Sequence, residues 1–94
     1  MFTHIVLYKL TNPTEENKQA LKNKFLSMIG NVPQIQSLES GTDCLQLGRS
    51  FDVSLYIKFH SKEDFFAYKE YPFHKAVAEY VHNVVSKSVS VDFE

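Results

Sequence analysis

Tryptophan is absent from this chain of 94 residues, glycine and proline occur three times each, and there is one cysteine. Each scarcity excludes something. A lone Cys44 cannot close an intramolecular disulfide, so the fold is not a stapled one, and a free thiol suits a reducing compartment such as the cytoplasm. With so little glycine there is no phosphate-cradling loop, and with so little glycine and proline no low-complexity linker. No apolar run approaches the ~20 residues of a membrane span, and the opening Met1 to Lys9 lacks a basic leader, so the expectation is a soluble cytoplasmic protein without membrane contact. Charge of one sign is also missing. Ten Lys and Arg against eleven Asp and Glu leave a formal charge of −1. The basic residues are dispersed, whereas phosphate recognition needs a concentrated positive face, which argues against nucleic acid as a partner. The four histidines, His4, His60, His74 and His82, form no i, i+4 pair, and Cys44 has no cysteine near it. No metal site is therefore expected.

What the chain does contain is globular. Hydrophobic residues make up 44% and charged residues 22%, with eight Phe and five Tyr. The length suits one domain, residues 1 to 94, whose core is thin because a chain of this size buries only about 60 to 65% of its unfolded surface.

Phe2 to Leu10 is rich in β-branched and aromatic residues and reads as a strand, with Phe2, His4, Val6 and Tyr8 on one face and Ile5 and Leu7 on the other. Asn12-Pro13-Thr14-Glu15-Glu16 starts a helix, capped by Asn12 or by Thr14. Leu21, Phe25, Met28 and Ile29 then recur on one side, with Lys18, Lys22 and Lys24 elsewhere around the wheel, until Gly30-Asn31 and Pro33 end it. Gln34 to Thr42 reads as a strand and Gly41 to Ser50 as a polar connection. Phe51 to Phe59 alternates, Val53, Leu55, Ile57 and Phe59 against Asp52, Ser54, Tyr56 and Lys58, and is a strand. Ser61 with Asp64 marks a short helix through Tyr68, and Pro72 breaks it before a second helical stretch from about Phe73 to Val84, with Val77, Ala78, Val81, Val84 and Val85 as its apolar stripe. Ser86 to Phe93 alternates again, Val89, Val91 and Phe93 against Ser88, Ser90 and Asp92.

The order β, α, β, β, α(α), β predicts an α+β fold of the ferredoxin-like, split βαβ kind: a four-stranded antiparallel sheet with helices on one face. The uncovered face then carries apolar side chains from the first and last strands. Water is a poor cover for such a face, and the simplest seal is a second copy packed sheet to sheet about a two-fold axis, forming a dimeric α/β barrel.

Three segments resemble the stress-responsive dimeric A/B-barrel family. Thr3-His4-Ile5-Val6-Leu7-Tyr8-Lys9 resembles its H-x-V-L-F/W-K opening, Ala67-Tyr68-Lys69-Glu70-Tyr71-Pro72-Phe73-His74 its Y-x-x-H-P-x-H segment, and Val91-Asp92-Phe93 its V-x-D-Y/F close. They occur in the right order and span nearly the whole chain. Tyr71 stands where the family usually has the first His of H-P-x-H, which leaves His74 as that motif's imidazole. The resemblance implies a homodimer with a cavity between sheet and helices. Many members have no assigned activity, while plant polyketide cyclases of this kind promote an aldol-type ring closure with no metal or organic cofactor. Their acting Tyr and His carry over to Tyr68 and His74, the acidic residue of the last strand to Asp92, and the His of the first strand to His4.

On this reading His74 is the candidate base, Asp92 a carboxylate that orients it, and Tyr68 the donor to a developing enolate oxygen. His4, Val6, Tyr8, Leu21, Phe25, Leu55 and Ile57 are the candidate walls of an apolar ligand pocket. Each has a plainer alternative: His74 as a helix cap or buried hydrogen-bond partner, His4 as a core histidine, Asp92 as a solvated strand end, and the aromatic series Phe65, Phe66, Tyr68, Tyr71 and Phe73 as packing against the sheet. Three functions stay open. They are a ligand-binding, cyclase-like protein for a small apolar or polyketide-like molecule, a non-enzymatic stress or interaction module, and a cofactor-independent monooxygenase of the wider dimeric barrel superfamily.

Overall fold

Side chains alternate across a strand with a period of two, and in the computed structural model, which describes all 94 residues, that alternation becomes a sheet with two different faces. Strand β1 (Phe2–Leu10) is followed by helix α1 (Glu15–Leu26), strands β2 (Ser37–Thr42) and β3 (Val53–Phe59), helices α2 (Lys62–Glu70) and α3 (Pro72–Val84), and strand β4 (Val85–Phe93). The four strands form one antiparallel sheet in the order β2-β3-β1-β4. This is the ferredoxin-like α+β arrangement, with β1 and β3 inside and β2 and β4 as edges.

Register decides which residues meet. Phe2 lies opposite Phe59, His4 opposite Ile57, Val6 opposite Leu55 and Tyr8 opposite Val53. These four pairs, joined by Leu38 of β2, face the helices, and every member but His4 is buried. Leu21 and Phe25 of α1, Met28 and Val32 just beyond it, Phe65 and Tyr68 of α2 and Val77 of α3 complete this core.

The helices begin and end where local chemistry dictates. Thr14, not Asn12, caps α1, its hydroxyl accepting from the Asn17 N–H at 3.1 Å. Ser61 caps α2 in the same way through Asp64 N–H at 3.1 Å. The first helix is shorter than its apolar pattern suggests. It stops at Leu26, and the chain turns through Gly30 at φ +82°, a left-handed conformation that glycine adopts without strain. Ile29 is therefore outside the helix and exposed. Strand β2 is likewise shorter than expected, because Gln34 to Gln36 are taken up in the turn that precedes it. Lys18, placed among solvent-facing lysines by the wheel, is buried. Its aliphatic stem lies along the core and its ammonium reaches Glu15 Oε1 at 3.5 Å, as long cationic side chains do when the charge can be returned to the surface.

The opposite face of the sheet has no helix. Thr3, Ile5 and Leu7 of β1 lie there beside Phe93, Val91 and Val89 of β4 and beside Lys58, Tyr56 and Ser54 of β3. Leu7, Val89, Val91 and Phe93 are 38%, 43%, 53% and 49% exposed, which makes an apolar strip down the middle and edge of this face. The strip is the uncovered surface expected from the first and last strands.

Burial sets the scale of a mutational contrast. Ile57 is fully buried between β1 and β2, whereas Phe66 is 58% exposed. Ile57→Ala is expected to lower unfolding free energy by about 2 to 5 kcal/mol and Phe66→Ala by less than about 0.5 kcal/mol, measured by urea denaturation.

Candidate functional site

The sharpest local instruction in the chain is the break between α2 and α3. Proline has no N–H to donate and restricts the residue before it, so Tyr71 is extended at φ −70°, ψ 131° and serves both as the C-cap of one helix and the N-cap of the next, with Pro72 in the first turn. The chain redirects there. His74, one turn into α3, is folded back onto Tyr68, near the end of α2, with ring centroids 4.1 Å apart and planes at 44°.

Around this pair lies a cavity of about 100 Å³, lined by Tyr8, Phe25, Met28, Leu55, Tyr68, His74, Val77, Ala78 and Val81. Its floor is the helix-facing side of β1 and β3, one wall is α1, and the other wall is α3. Tyr68 is almost wholly buried, and Tyr8 nearly so. Burial pushes both phenols well above the usual tyrosine range, and for Tyr68 the neighbouring Tyr8 adds to the effect. Both therefore remain O–H donors at neutral pH.

His74 is affected in the opposite sense. Burial lowers its pKa from 6.5, the nearby Lys69 ammonium and His4 lower it further, and a weak contact to the Lys69 carbonyl works against them. That contact runs from Nδ1 to the carbonyl oxygen at 3.4 Å. A carbonyl only accepts, so Nδ1 carries the hydrogen and Nε2 keeps the lone pair. The site thus holds one neutral imidazole and two neutral phenols, a base with two donors.

Asp92 is not the residue that orients His74. Its carboxylate is hydrogen-bonded to Nδ1 of His4. The cause is register: antiparallel pairing of β1 with β4 sets His4 directly opposite Asp92 on the helix-facing side of the sheet, the position from which cross-strand side chains touch. His4 also packs on Phe65 at 5.0 Å and lies 6.5 Å from the Tyr68 ring. Tyr68 consequently stands between two imidazoles, one tied to a carboxylate and one to a backbone carbonyl.

Of the residues expected to line a pocket, Tyr8, Phe25 and Leu55 do so, while Val6, Leu21 and Ile57 are buried in the core away from the cavity and His4 is behind Tyr68. Met28, Val77, Ala78 and Val81 line it without having been singled out for that role. The last three were legible: from His74 they follow at i+3, i+4 and i+7, one face of one helix. Phe65 packs in the core and Phe66 points to solvent, so of the aromatic series only Tyr68 reaches the cavity. No three His, Cys, Asp or Glu side chains converge as a metal-binding group. No helix is long and apolar enough to cross a membrane.

Comparison with known proteins places this geometry. Residues 2–94 match the family model of the stress responsive A/B barrel domain. The chain belongs to that family. None of the curated proteins compared with it matches the sequence. Among solved structures, a dimeric protein of unknown function with a ferredoxin-like fold from Bacteroides fragilis is 26% identical, with a TM-score of 0.81 over 99% of this chain and 94% of that one. A protein from Arabidopsis thaliana superposes with a TM-score of 0.85 at 18% identity, over 100% of this chain and 94% of that one. A hydroxynitrile lyase from Passiflora edulis has a TM-score of 0.83 at 18% identity, over 98% and 90%. The last two likenesses establish the shared fold.

A pH dependence follows from the imidazole. In the unfolded chain His74 takes a proton near 6.5, and in the folded protein only at lower pH. Its contribution to stability is therefore complete above pH ~6.5 and is lost as the pH falls from there through the folded-state value. Wild-type protein is expected to lose more stability between pH 7.5 and pH 5 than His74→Gln does, as read from urea unfolding at the two pH values.

Proposed function

We propose that the protein is a homodimeric A/B barrel whose His74–Tyr68 cavity binds a small, largely apolar carbonyl compound and catalyses proton transfer at the carbon next to the carbonyl. The observation that carries this reading is a neutral imidazole held against a neutral, buried phenol at the wall of an apolar cavity.

In the reaction so proposed, Nε2 of His74 takes a proton from the α-carbon as the C–H bond breaks. Electron density moves to the carbonyl oxygen. Tyr68 and Tyr8 donate hydrogen bonds to that oxygen as its charge develops, the contribution that usually matters most in such sites. The enolate can then accept a proton elsewhere or attack a second carbonyl, which is ring closure when both groups lie on one molecule. His4 with Asp92 supports Tyr68 from behind and fixes the electrostatic environment of His74.

The dimer is supported by the apolar strip of Leu7, Val89, Val91 and Phe93 on the uncovered sheet face, and by the description of the Bacteroides fragilis structure as dimeric. Joining two sheets into a closed barrel also removes the free edges of β2 and β4, which otherwise invite uncontrolled pairing. Sedimentation is expected to show a species of twice 10.9 kDa, and Val91→Lys, which sets a charge in the middle of the strip, to convert it to a monomer. A wild-type monomer at micromolar concentration would overturn the barrel.

The test of the chemistry is deuterium exchange at the central carbon of acetylacetone, followed by proton NMR. Wild-type protein is expected to accelerate exchange over buffer, with a rate that rises as pH climbs through the lowered pKa of His74 and then levels. His74→Ala should lose on the order of a hundredfold and Tyr68→Phe a similar factor. The small volume of the cavity favours a second reading, a non-enzymatic module whose interior is filled by its own side chains. No acceleration by the wild type, and no shift of the His74 or Tyr68 resonances on titration, would select it.

A further inference from the structure

A second concavity lies away from His74 and the helices, beside the loop that joins β2 to β3 and against Leu7 on the uncovered face of the sheet. Its volume of about 490 Å³ falls within the roughly 300 to 1,000 Å³ of small-molecule sites. Leu7, Leu45, Leu47 and Phe51 supply its apolar lining. Hydrogen bonds tie the loop down. The Asp43 N–H donates to the Asp52 carbonyl at 2.9 Å across its base, and the Leu47 N–H donates to the Ser50 hydroxyl at 3.1 Å nearer its tip. Gln46 is held at φ 55°, in the left-handed region that favours glycine. Leu45 and Leu47, 69% and 46% exposed, are thereby presented to the concavity instead of being packed in the core.

Positive charge gathers at its Phe51 side. Lys9 and Lys87 stand directly opposite each other in the ladder between β1 and β4, and like charges so placed destabilise a sheet. Both ammoniums lie over the Phe51 ring, 5.2 Å and 6.0 Å from its centroid. Arg49, the chain's one arginine, lines the concavity itself. None of these three cations takes part in any of the structure's ion pairs. The two acids of the lining are engaged by backbone: Asp43 accepts from the Gln46 N–H at 2.7 Å and Asp52 from the Leu10 N–H at 2.8 Å.

We infer that this concavity is a second binding site, for an aliphatic monocarboxylate whose head group meets Arg49 and the Lys9–Lys87 pair and whose hydrocarbon tail lies along Leu7, Leu45 and Leu47. A carboxylate beside the two opposed ammoniums offsets their repulsion, and a planar guanidinium can take both of its oxygens at once, the geometry in which such pairs are strongest. The leucines accept methylene groups and offer no polar atom of their own side chains to compete for the head group. The site is independent of the acid–base reading of the His74 cavity, which lies on the helix-facing side of the sheet. Leu7 belongs also to the apolar strip, so the site falls at the rim of the proposed dimer interface, with the loop as its outer wall.

The probe is octanoate, titrated calorimetrically, with octanol supplying the tail without the charge and acetate the charge without the tail. Wild-type protein is expected to bind octanoate at least about tenfold more tightly than either, because head group and tail each contribute. Its affinity should fall as sodium chloride is raised, since the cations are at the surface. Arg49 is exposed on the loop, so Arg49→Gln leaves the core intact, and it should weaken octanoate about tenfold. Leu47→Asp should weaken it by a similar factor, and Lys9→Gln by less. In an NMR titration the methyl resonances of Leu7, Leu45 and Leu47 should move while the ring resonances of Tyr68 and His74 stay in place. Three results overturn the site: no octanoate binding, equal affinity for octanol, or full affinity in Arg49→Gln with the shifts centred on Tyr68 and His74.

Discussion

Everything in this molecule is referred to β1. As an inner strand it pairs with β3 on one side and β4 on the other, and that double pairing fixes which of its residues look toward the helices. Even-numbered positions, Phe2 to Leu10, turn inward. They bring one aromatic, Tyr8, to the cavity floor and one imidazole, His4, to the back of Tyr68. Odd-numbered positions turn outward and contribute Ile5 and Leu7 to the apolar strip. A slip of one residue in register would exchange the two sets, expose the core and bury Lys9, so the hydrophobic pattern and the placement of functional groups are enforced by the same free energy.

The second constraint is covalent and local. Without Pro72, α2 and α3 could continue as one rod, and residues six apart, Tyr68 and His74, would point about 120° apart around its axis and sit about 9 Å apart along it. The extended Tyr71 and the proline after it convert sequence proximity into contact. The site is therefore built by two independent devices, long-range register for Tyr8 and His4 and a short-range break for Tyr68 and His74. Each sits on a regular element rather than on a loop, which keeps the four rings positioned by packed helices and strands.

The period-two and helical patterns were enough to show the element order, the two-faced sheet and the apolar strip, because each depends on residues close in sequence. The pairing of Tyr68 with His74 came instead from the resemblance of the segment around Pro72 to the family's Y-x-x-H-P-x-H motif. The partner of Asp92 was not legible. Whether that carboxylate serves His74 or His4 is decided by how β4, the last strand, registers against β1, the first, and a strand's alternation says which face a residue takes but not its partner across 88 residues. The shape of the cavity was hidden for a different reason. Leu21, Phe25, Leu55 and Ile57 share the same apolar chemistry, and only side-chain packing separates Phe25 and Leu55, which border the void, from Leu21 and Ile57, which fill the core. The early end of α1 reflects a competition that a periodic pattern does not register: Met28 continues the stripe but is delivered to the core from a turn.

The electrostatic state of the site follows from its dryness. A buried imidazole resists protonation and buried phenols resist ionisation, so the same desolvation that costs stability when charge is forced on the site keeps a base and two donors uncharged together at neutral pH. The Asp92 carboxylate is hydrogen-bonded to His4 and not to His74. Charge is consequently absent from the cavity until a reaction creates it. On the proposed acid–base reading, a proton moving from substrate to His74 would create imidazolium and enolate as a pair inside an apolar enclosure, where their mutual attraction is screened less than in water, beside the two phenols that line it. A carboxylate placed on His74 itself would have made that imidazole a stronger base, but a site already holding a negative charge is poorly suited to generate an enolate. Pairing Asp92 with His4 instead leaves that carboxylate one ring removed from the imidazole on which the proposed proton transfer depends.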